Sequence, residues 1–132
     1  MDKEKIHLIQ IENSRIIVRM ANVEDTNSII KYFDENKEHL SPFEPKKPDQ
    51  FYTYDFWVNR IQVSVKEFEE LKSLRLFIFE KDGLGEVIGM LSFEGICKLP
   101  FESCEMGYSI AKNKQGKGYM RQAIELSIKY AF

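Results

Sequence analysis

A short stretch late in the sequence, KQGKGY at residues 114–119, places two glycines among lysines just ahead of a run with helical apolar spacing. Gly116 and Gly118 would let the backbone approach a ligand closely and adopt conformations that other residues avoid. The first turn of a helix leaves several N–H groups unpaired, and the helix dipole adds partial positive charge there. The lysines of the stretch and Arg121 add further positive charge. The stretch therefore predicts an anion site, best suited to phosphate.

Two better-known phosphate motifs do not match this stretch. A P-loop requires the pattern GxxxxGK[ST], and the dinucleotide-binding fingerprint requires GxGxxG with an acidic residue about 20 positions further on. From the residues alone, one alternative stays open. The glycines would then form only a tight turn from strand to helix, and the lysines would simply be solvated.

The first half of the chain carries signals for a hairpin and a helix. Two apolar runs, IHLIQI and RIIVRM, flank polar turn-forming residues and indicate the hairpin. The helix is expected over roughly Glu24–Glu38. Asn22 is its expected cap, and Asp25 three residues later completes an approximate capping box.

A second helix and three strands are predicted between this helix and the glycine stretch. After a proline-rich loop, LSPFEPKKPD, the segment FYTYDFWVNRIQVSVKEFEELKS favours a helix. Its apolar residues form one helical stripe only loosely: Phe56, Val63, Phe68 and Leu71. The strands are predicted in RLFIFE, EVIGMLSFEG and ESCEMGYSI, and a final helix follows. The order β-β-α-α-β-β-β-α predicts an α+β, or mixed α/β, fold around a largely antiparallel sheet flanked by helices.

Length and composition limit the classes of protein to which this chain could belong. Its 132 residues predict a single domain over 1–132, and its formal net charge of −2 gives no argument for nucleic-acid binding. No apolar run reaches the length of a membrane span, and the N-terminus lacks a signal-peptide core, so a cytoplasmic location is expected. Cys97 and Cys104 are expected to be reduced thiols. The isolated His7 and His39 argue against a metal site.

The segment 102–132 resembles the acetyl-CoA-binding motif of the GNAT superfamily of N-acetyltransferases, and more narrowly the branch that acetylates ribosomal-protein N-termini. The family motif is Gln or Arg, two variable residues, Gly, one variable residue, then Gly or Ala. Gln115, Gly118 and Met120 occupy those positions, and EMGY at 105–108 matches the family's E-x-G-Y strand. The front of the chain, RIIVRMANVEDTNSIIKYFDENKEHLSPFEP, is similar to the family's first strand and helix. The likeness therefore extends over nearly the whole sequence.

This sequence also departs from the family pattern. Met120 replaces the usual small residue, and Lys112 stands where many members have proline. Family members continue past this helix with another strand, a further helix and two closing strands, so the chain is expected to be truncated after the acetyl-CoA-binding helix, without the C-terminal strands. One wall of the thioester half of the site would then be missing. The strand ending at Ile110 would have an open edge, which we expect to favour a homodimer.

The resemblance implies an acetyl-CoA-dependent N-acetyltransferase that acts on a primary amine, with a protein or peptide N-terminal α-amine as the expected acceptor. The alternative is a catalytically incompetent remnant that binds CoA or only associates with partner chains. We do not expect the protein to bind a metal, a nucleic acid or a membrane. The positions expected to contact the cofactor are Ser109, Ile110, Gln115, Gly116, Lys117, Gly118, Tyr119 and Met120.

Acetyl transfer to an amine needs a base that accepts a proton, usually through water. Glu105 is the first candidate and Glu102 the second, because some superfamily members place this carboxylate a few residues earlier on the strand. Strand alternation puts the two on opposite faces unless a bulge intervenes, and a structural or solvated Glu105 stays an alternative. Tyr108 is expected to pack rather than react. Four aromatic residues either line the acceptor slot, as in relatives, or fill a helix core: Tyr52, Tyr54, Phe56 and Trp57.

Overall fold

The computed structural model describes residues 9–43, 47–95 and 105–131, which form five strands and four α-helices. The strands are β1 (Gln10–Glu12), β2 (Ile16–Arg19), β3 (Ser73–Glu80), β4 (Val87–Glu94) and β5 (Glu105–Ile110). The helices are α1 (Thr26–Glu35), α2 (Lys37–Leu40), α3 (Tyr54–Glu69) and α4 (Tyr119–Ala131). Predictions for four residues lie outside the described residues and are untested: His7, Cys97, Glu102 and Cys104.

The five strands form one antiparallel sheet whose spatial order follows the chain, β1-β2-β3-β4-β5. The helices α1, α2 and α3 all lie in the connection between β2 and β3. β5 pairs with β4 over its whole length, from Glu105 opposite Glu94 to Ile110 opposite Gly89. The predicted fold class, helices around a largely antiparallel sheet, is confirmed.

The start of the first helical segment follows its sequence signals. The Asn22 side chain accepts a hydrogen bond from a backbone N–H of the first turn at 2.9 Å. The Asp25 side chain accepts one from the Asn22 N–H at 2.8 Å, so the predicted capping box is confirmed. A 3-10 turn over Val23–Asp25 precedes α1. The α-helix ends at Glu35, earlier than predicted, because the backbone of Asn36 leaves helical geometry with φ −107° and ψ 15°.

The apolar stripe predicted for the second long helix is wrong at two of its four positions, while the other two residues are partly buried against the cores. Trp57 and Ile61, one turn apart on α3, are the buried residues of this helix. Val63 is 37% exposed, and Leu71 lies beyond the end of the helix. The helix buries its largest side chain, because the Trp57 ring stacks on the Phe33 ring of α1, with the ring centroids 5.4 Å apart.

Helices cover both faces of the sheet. Strand side chains alternate between faces, so Leu76 and Ile78 of β3 pack with Ala123 of α4 in one core. Phe77 packs with Trp57 on the other face, under α1 and α3. None of the helices in the described ranges is long and apolar enough to cross a membrane. In the same ranges, no three His, Cys, Asp or Glu residues are grouped so that they could hold a metal ion.

Candidate functional site

The glycine stretch follows β5 after a short 3-10 turn, and α4 begins directly behind it. Gly116 and Gly118 have φ of 77° and 81°, in the left-handed region that L side chains rarely adopt. An ideal Cβ at Gly116 would meet nothing within 4 Å. The backbone conformation, rather than crowding by neighbours, therefore requires glycine here, and the surface of the turn stays open to a ligand.

A run of unpaired backbone donors follows from this conformation. In the described structure, the N–H groups from Gly116 to Arg121 make no backbone hydrogen bond, and the first bond of α4 runs from the Gln122 N–H to the Gly118 carbonyl at 3.1 Å. We call residues 116–121 the amide cradle. Unpaired N–H groups at the positive end of a helix dipole are the donors that bind phosphate in many proteins.

Two side chains of the glycine stretch anchor it to the sheet. Lys114 Nζ donates to Glu80 Oε1 at 2.8 Å, and the Tyr119 hydroxyl donates to Glu80 Oε2 at 2.7 Å. The bonds from Lys114 and Tyr119 lower the pKa of the Glu80 carboxyl, and Glu80 in turn raises the pKa of Lys114. The charge of Lys114 is therefore already matched by a carboxylate of β3, which leaves other cations to attract an anion.

Arg15, in the turn between β1 and β2, is a cation at the cradle that sequence reasoning missed. Its guanidinium carbon lies 4.5 Å from the centroid of the Tyr119 ring, and one terminal nitrogen lies 3.8 Å from an ideal Cβ at Gly118. Asn13 holds this turn in place, since it accepts from the Arg15 N–H at 2.8 Å and donates to the Gln122 side chain at 3.2 Å. Nothing in the local sequence around Arg15 indicates this contact.

Helix α1 positions the end of β5 and the turn that follows. The Tyr32 and Ser109 hydroxyl oxygens are 2.7 Å apart. The buried Asn36 side chain accepts from the Lys112 N–H at 2.9 Å and donates to the Tyr32 carbonyl at 2.8 Å. Ser109, predicted to contact the cofactor, thus bonds to α1, and Ile110 ends the strand partly buried.

Glu105, the first candidate base, shares the α1 and α3 face of the sheet with Ser109, because the two are an even number of residues apart on β5. It lies opposite Glu94 in the ladder, and its side chain is exposed. Water can therefore reach it, as a base acting through water requires. Tyr108 is 60% exposed, so the prediction that it packs is wrong for the part of the chain described.

A cavity of about 330 Å³ lies between α1, α3 and strands β3–β5. We call it the aromatic cavity. It is lined by Phe33, Lys47, Phe51, Phe56, Trp57, Arg60, Arg75, Met90, Ser92, Gly107, Tyr108 and Ser109. Its volume is at the lower end of the range found for small-ligand sites, roughly 300–1,000 Å³. Residues as far apart in the chain as Phe33 and Ser109 meet here, although no short motif contains them.

The four aromatic residues expected near an acceptor slot divide into two pairs. Phe56 and Trp57 line the aromatic cavity. The Tyr52 ring instead packs under the Lys37 ammonium, 4.2 Å from the ring centroid, and Tyr54 is 49% exposed. Trp57 is only 3% exposed, so this residue belongs both to the core and to the cavity wall.

Comparisons with known proteins agree on one family. A family model described as an acetyltransferase (GNAT) domain matches residues 15–132. A ribosomal protein uS5-alanine N-acetyltransferase of Escherichia coli (strain K12) is 29% identical over 129 residues, which cover 97% of this chain and 66% of that protein. The crystal structure of a ribosomal-protein-S5-alanine acetyltransferase from Vibrio fischeri has a TM-score of 0.84 and 31% identity, and covers 94% of this chain and 67% of that one.

A more distant structure shares the fold alone. The microcin C7 self-immunity acetyltransferase, solved in complex with acetyl-CoA and AMP, has a TM-score of 0.75 at 24% identity, covering 89% of this chain and 63% of that one. The chain spans about two thirds of the length of the E. coli relative, 66%. Both the amide cradle and the strands of the aromatic cavity lie within the region that the family model matches.

Proposed function

This chain belongs to the acetyltransferase (GNAT) domain family, and we propose that it transfers the acetyl group of acetyl-CoA to a primary amine at a protein N-terminus, in the cytoplasm. The observation that carries the proposal is the amide cradle, residues 116–121, directly behind β5. The E. coli relative is named as an N-acetyltransferase of alanine on ribosomal protein uS5. That name supports the α-amine of a ribosomal protein as the acceptor.

The cradle has the donors that the phosphates of CoA would need. Its unpaired N–H groups are charge-compatible with a diphosphate, and the absence of a side chain at Gly118 leaves the backbone accessible. Arg15 adds a guanidinium held beside it, while Lys117 and Arg121 are exposed cations on the same turn. In this proposal the backbone supplies most of the contact and the cations add to it.

Acetyl-CoA supplies a thioester carbonyl, whose carbon forms a bond to the amine nitrogen while the carbon–sulfur bond breaks and CoA leaves. The attacking amine must lose a proton, and an α-amine has a pKa of about 7.7–8.0 against about 10.4 for lysine. An α-amine therefore needs the weaker base. We assign the role of base to Glu105, acting through water. The Ile110 N–H would donate a hydrogen bond to the thioester carbonyl oxygen, where negative charge develops.

A transfer assay tests the proposal directly. The protein is incubated with acetyl-CoA and a peptide that carries both an N-terminal alanine and an internal lysine, and mass spectrometry locates the acetyl group. Acetylation of the α-amine is the expected result, and a copy of the peptide with a blocked N-terminus is the control. If CoA binds in a calorimetric titration but no peptide is acetylated, the proposed activity is wrong and a CoA-binding remnant is the better description.

The exposed edge of β5 carries a separate part of the proposal. β5 is the last strand of the described sheet, and Met106 and Tyr108 on it are 40% and 60% exposed. Open strand edges pair readily with other strands, so we propose that a second copy of the chain pairs here. Light scattering at micromolar concentration should show a dimer, and a monomer with a cooperative melt would contradict this.

A further inference from the structure

The aromatic cavity carries an excess of positive charge. Three cationic side chains, Lys47, Arg60 and Arg75, are among the described residues that line it, and no carboxylate is. The Lys47 ammonium lies 5.2 Å from the centroid of the Phe51 ring, a cation–π contact. An anionic group entering the cavity would therefore meet three cations and aromatic side chains.

Arg75 is the central cation and has unused donors. Its side chain is 18% exposed, its Nε is buried without a hydrogen bond, and its Nη2 reaches Glu94 only at 3.5 Å. That distance is at the outer limit of a hydrogen bond. Burial lowers the pKa of the Arg75 guanidinium, and the charge of Arg60 lowers it further. A guanidinium has five N–H donors, and the described chain satisfies few of them here.

Arg60, on α3, is similarly short of partners. Its Nη1 lies 3.4 Å from Glu67 Oε1, and the same oxygen accepts from the Ser73 hydroxyl at 3.2 Å. One carboxylate oxygen is thus shared between two donors, at long distances. The two guanidiniums of the aromatic cavity are therefore held in place by weak contacts, and both keep donors for a ligand.

A second cavity, of about 470 Å³ between α1 and the turn after β5, shows that this imbalance is local. Lys31 on its wall pairs with Glu86 at 2.7 Å, and Glu35 lines the same wall. Lys114, also on that wall, pairs with Glu80 at 2.8 Å. Two of the three lysines that line the larger cavity are thus matched by carboxylates at short distances, whereas the carboxylates that pair with Arg60 and Arg75 in the aromatic cavity lie 3.4 and 3.5 Å away.

The sheet register relates these cations to the reacting end of β5. Arg75, Ser92 and Gly107 form one row across β3, β4 and β5, and Ser109 belongs to the next row on the same face. Rows on one face are about 7 Å apart, and the two strand spacings from β3 to β5 add about 9.6 Å, so the Cα atoms of Arg75 and Ser109 are about 12 Å apart. Two or three extended residues span about 7–10 Å of this distance, and the long side chain of Arg75 covers the rest. If an acceptor amine lies near Ser109, the second or third residue of the acceptor lies beside Arg75.

We propose that the aromatic cavity is the acceptor site and that Arg60 and Arg75 select acceptors with a carboxylate close to the reacting amine, as in a peptide with Asp or Glu at its second or third position. This inference rests on the proposed acetyl transfer. A guanidinium binds a carboxylate through two parallel N–H···O bonds, and the partial burial of the Arg75 side chain strengthens that attraction. The free carboxylate of a single amino acid would offer the same chemistry over a shorter distance.

Trp57 allows a test that does not depend on catalysis. It is the only tryptophan of the sequence and lies in the cavity wall, so its fluorescence reports occupancy. We would titrate the protein with two C-terminally amidated peptides that differ only in Glu or Gln at position two, and separately with alanine and alaninamide. The Glu peptide should bind roughly tenfold more tightly than the Gln peptide, as expected for a charge-assisted hydrogen-bonded pair.

Substitutions of the two arginines test whether they cause the preference for the Glu peptide. Arg60→Gln and Arg75→Gln should each reduce the preference for the Glu peptide, while Lys66→Gln, which removes an exposed cation from the same helix as Arg60, should keep it. If Arg75→Gln fails to fold, as circular dichroism would show, Arg60→Gln and the wild-type peptide pair still decide the question.

Each outcome has one meaning. A Glu preference that the arginine variants lose supports the inference, and an alanine preference over alaninamide would assign the carboxylate to a free amino acid. If the Glu and Gln peptides bind equally well, and alanine and alaninamide do too, the inference is wrong. This holds even if both peptides are acetylated, which would support the proposed function. Selective binding of the Glu peptide without any acetyl transfer would instead retain the anion site and remove the proposed function.

Discussion

The amide cradle and the aromatic cavity lie at the same end of β5 but are built in opposite ways. The cradle, residues 116–121, is one continuous stretch whose donors are backbone N–H groups. The cavity is assembled from side chains on α1, α3 and three strands, brought together by the sheet register. The cradle requires a backbone conformation, and the cavity requires a tertiary arrangement. Substitutions in the two regions should therefore affect different steps.

The largest expected effect separates the chemical step from cofactor binding. If Glu105 is the base, Glu105→Gln should lower turnover at neutral pH roughly hundredfold, the usual contribution of a general base, with the affinity for acetyl-CoA nearly unchanged. Glu125→Gln, which alters an exposed carboxylate of α4, is the matched control. Steady-state kinetics and calorimetry together measure both quantities. Full activity in Glu105→Gln would exclude this residue as the base and favour Glu102.

A second substitution should damage the cradle alone. Gly118→Val forces a β-branched residue to φ 81° and should weaken CoA binding at least about tenfold, from backbone strain and a blocked approach. Gly85 has the same φ of 81° and no neighbour within 4 Å of an ideal Cβ, so Gly85→Val controls for strain. Calorimetric titration of CoA compares the two variants. Equal losses in both would show that strain, rather than the cradle, limits binding.

The cations around the cradle should contribute less to CoA affinity than its backbone does, and Arg15 and Lys117 should contribute unequally. Arg15→Gln should weaken CoA binding roughly threefold to tenfold, because its guanidinium is held over the Tyr119 ring beside Gly118. Lys117→Gln should change the affinity by no more than about twofold, since an exposed lysine contributes little. Titrations at low and high salt measure both effects. A larger loss for Lys117→Gln would contradict the placement of Arg15.

The smallest effect concerns stability. Glu80 anchors the glycine stretch, and the hydrogen bonds from Lys114 and Tyr119 lower its pKa from the ordinary 4.5. A lowered carboxyl pKa adds stability above the unfolded value, which is lost as pH falls through the folded one. Glu80→Gln should therefore cost about 1 kcal/mol in urea unfolding at pH 7, with a smaller difference from wild type near pH 3. The same cost at both pH values would rule out the carboxylate as its source.

Local signals in the sequence were sufficient for most of the fold. The capping box at Asn22, the order of the five strands and the antiparallel sheet were predicted from patterns and confirmed, whereas the short helix α2 was not predicted. The apolar stripe predicted on α3 was not fully confirmed, because the spacing of apolar residues alone cannot tell which of them faces a neighbouring element. Trp57 is buried against Phe33 of another helix, while Val63, at an equally plausible position, is exposed.

The sequence by itself determined the amide cradle, because glycines at 116 and 118 before a helix specify both the backbone conformation and the unpaired donors within one stretch. Only the tertiary structure decided which charges surround each site. It placed Arg15 beside Gly118, paired Lys114 with Glu80, and left Arg60 and Arg75 with few partners in the aromatic cavity. The physical reason is that a backbone conformation depends on neighbouring residues in the chain, whereas the balance of charge depends on distances between residues far apart in it.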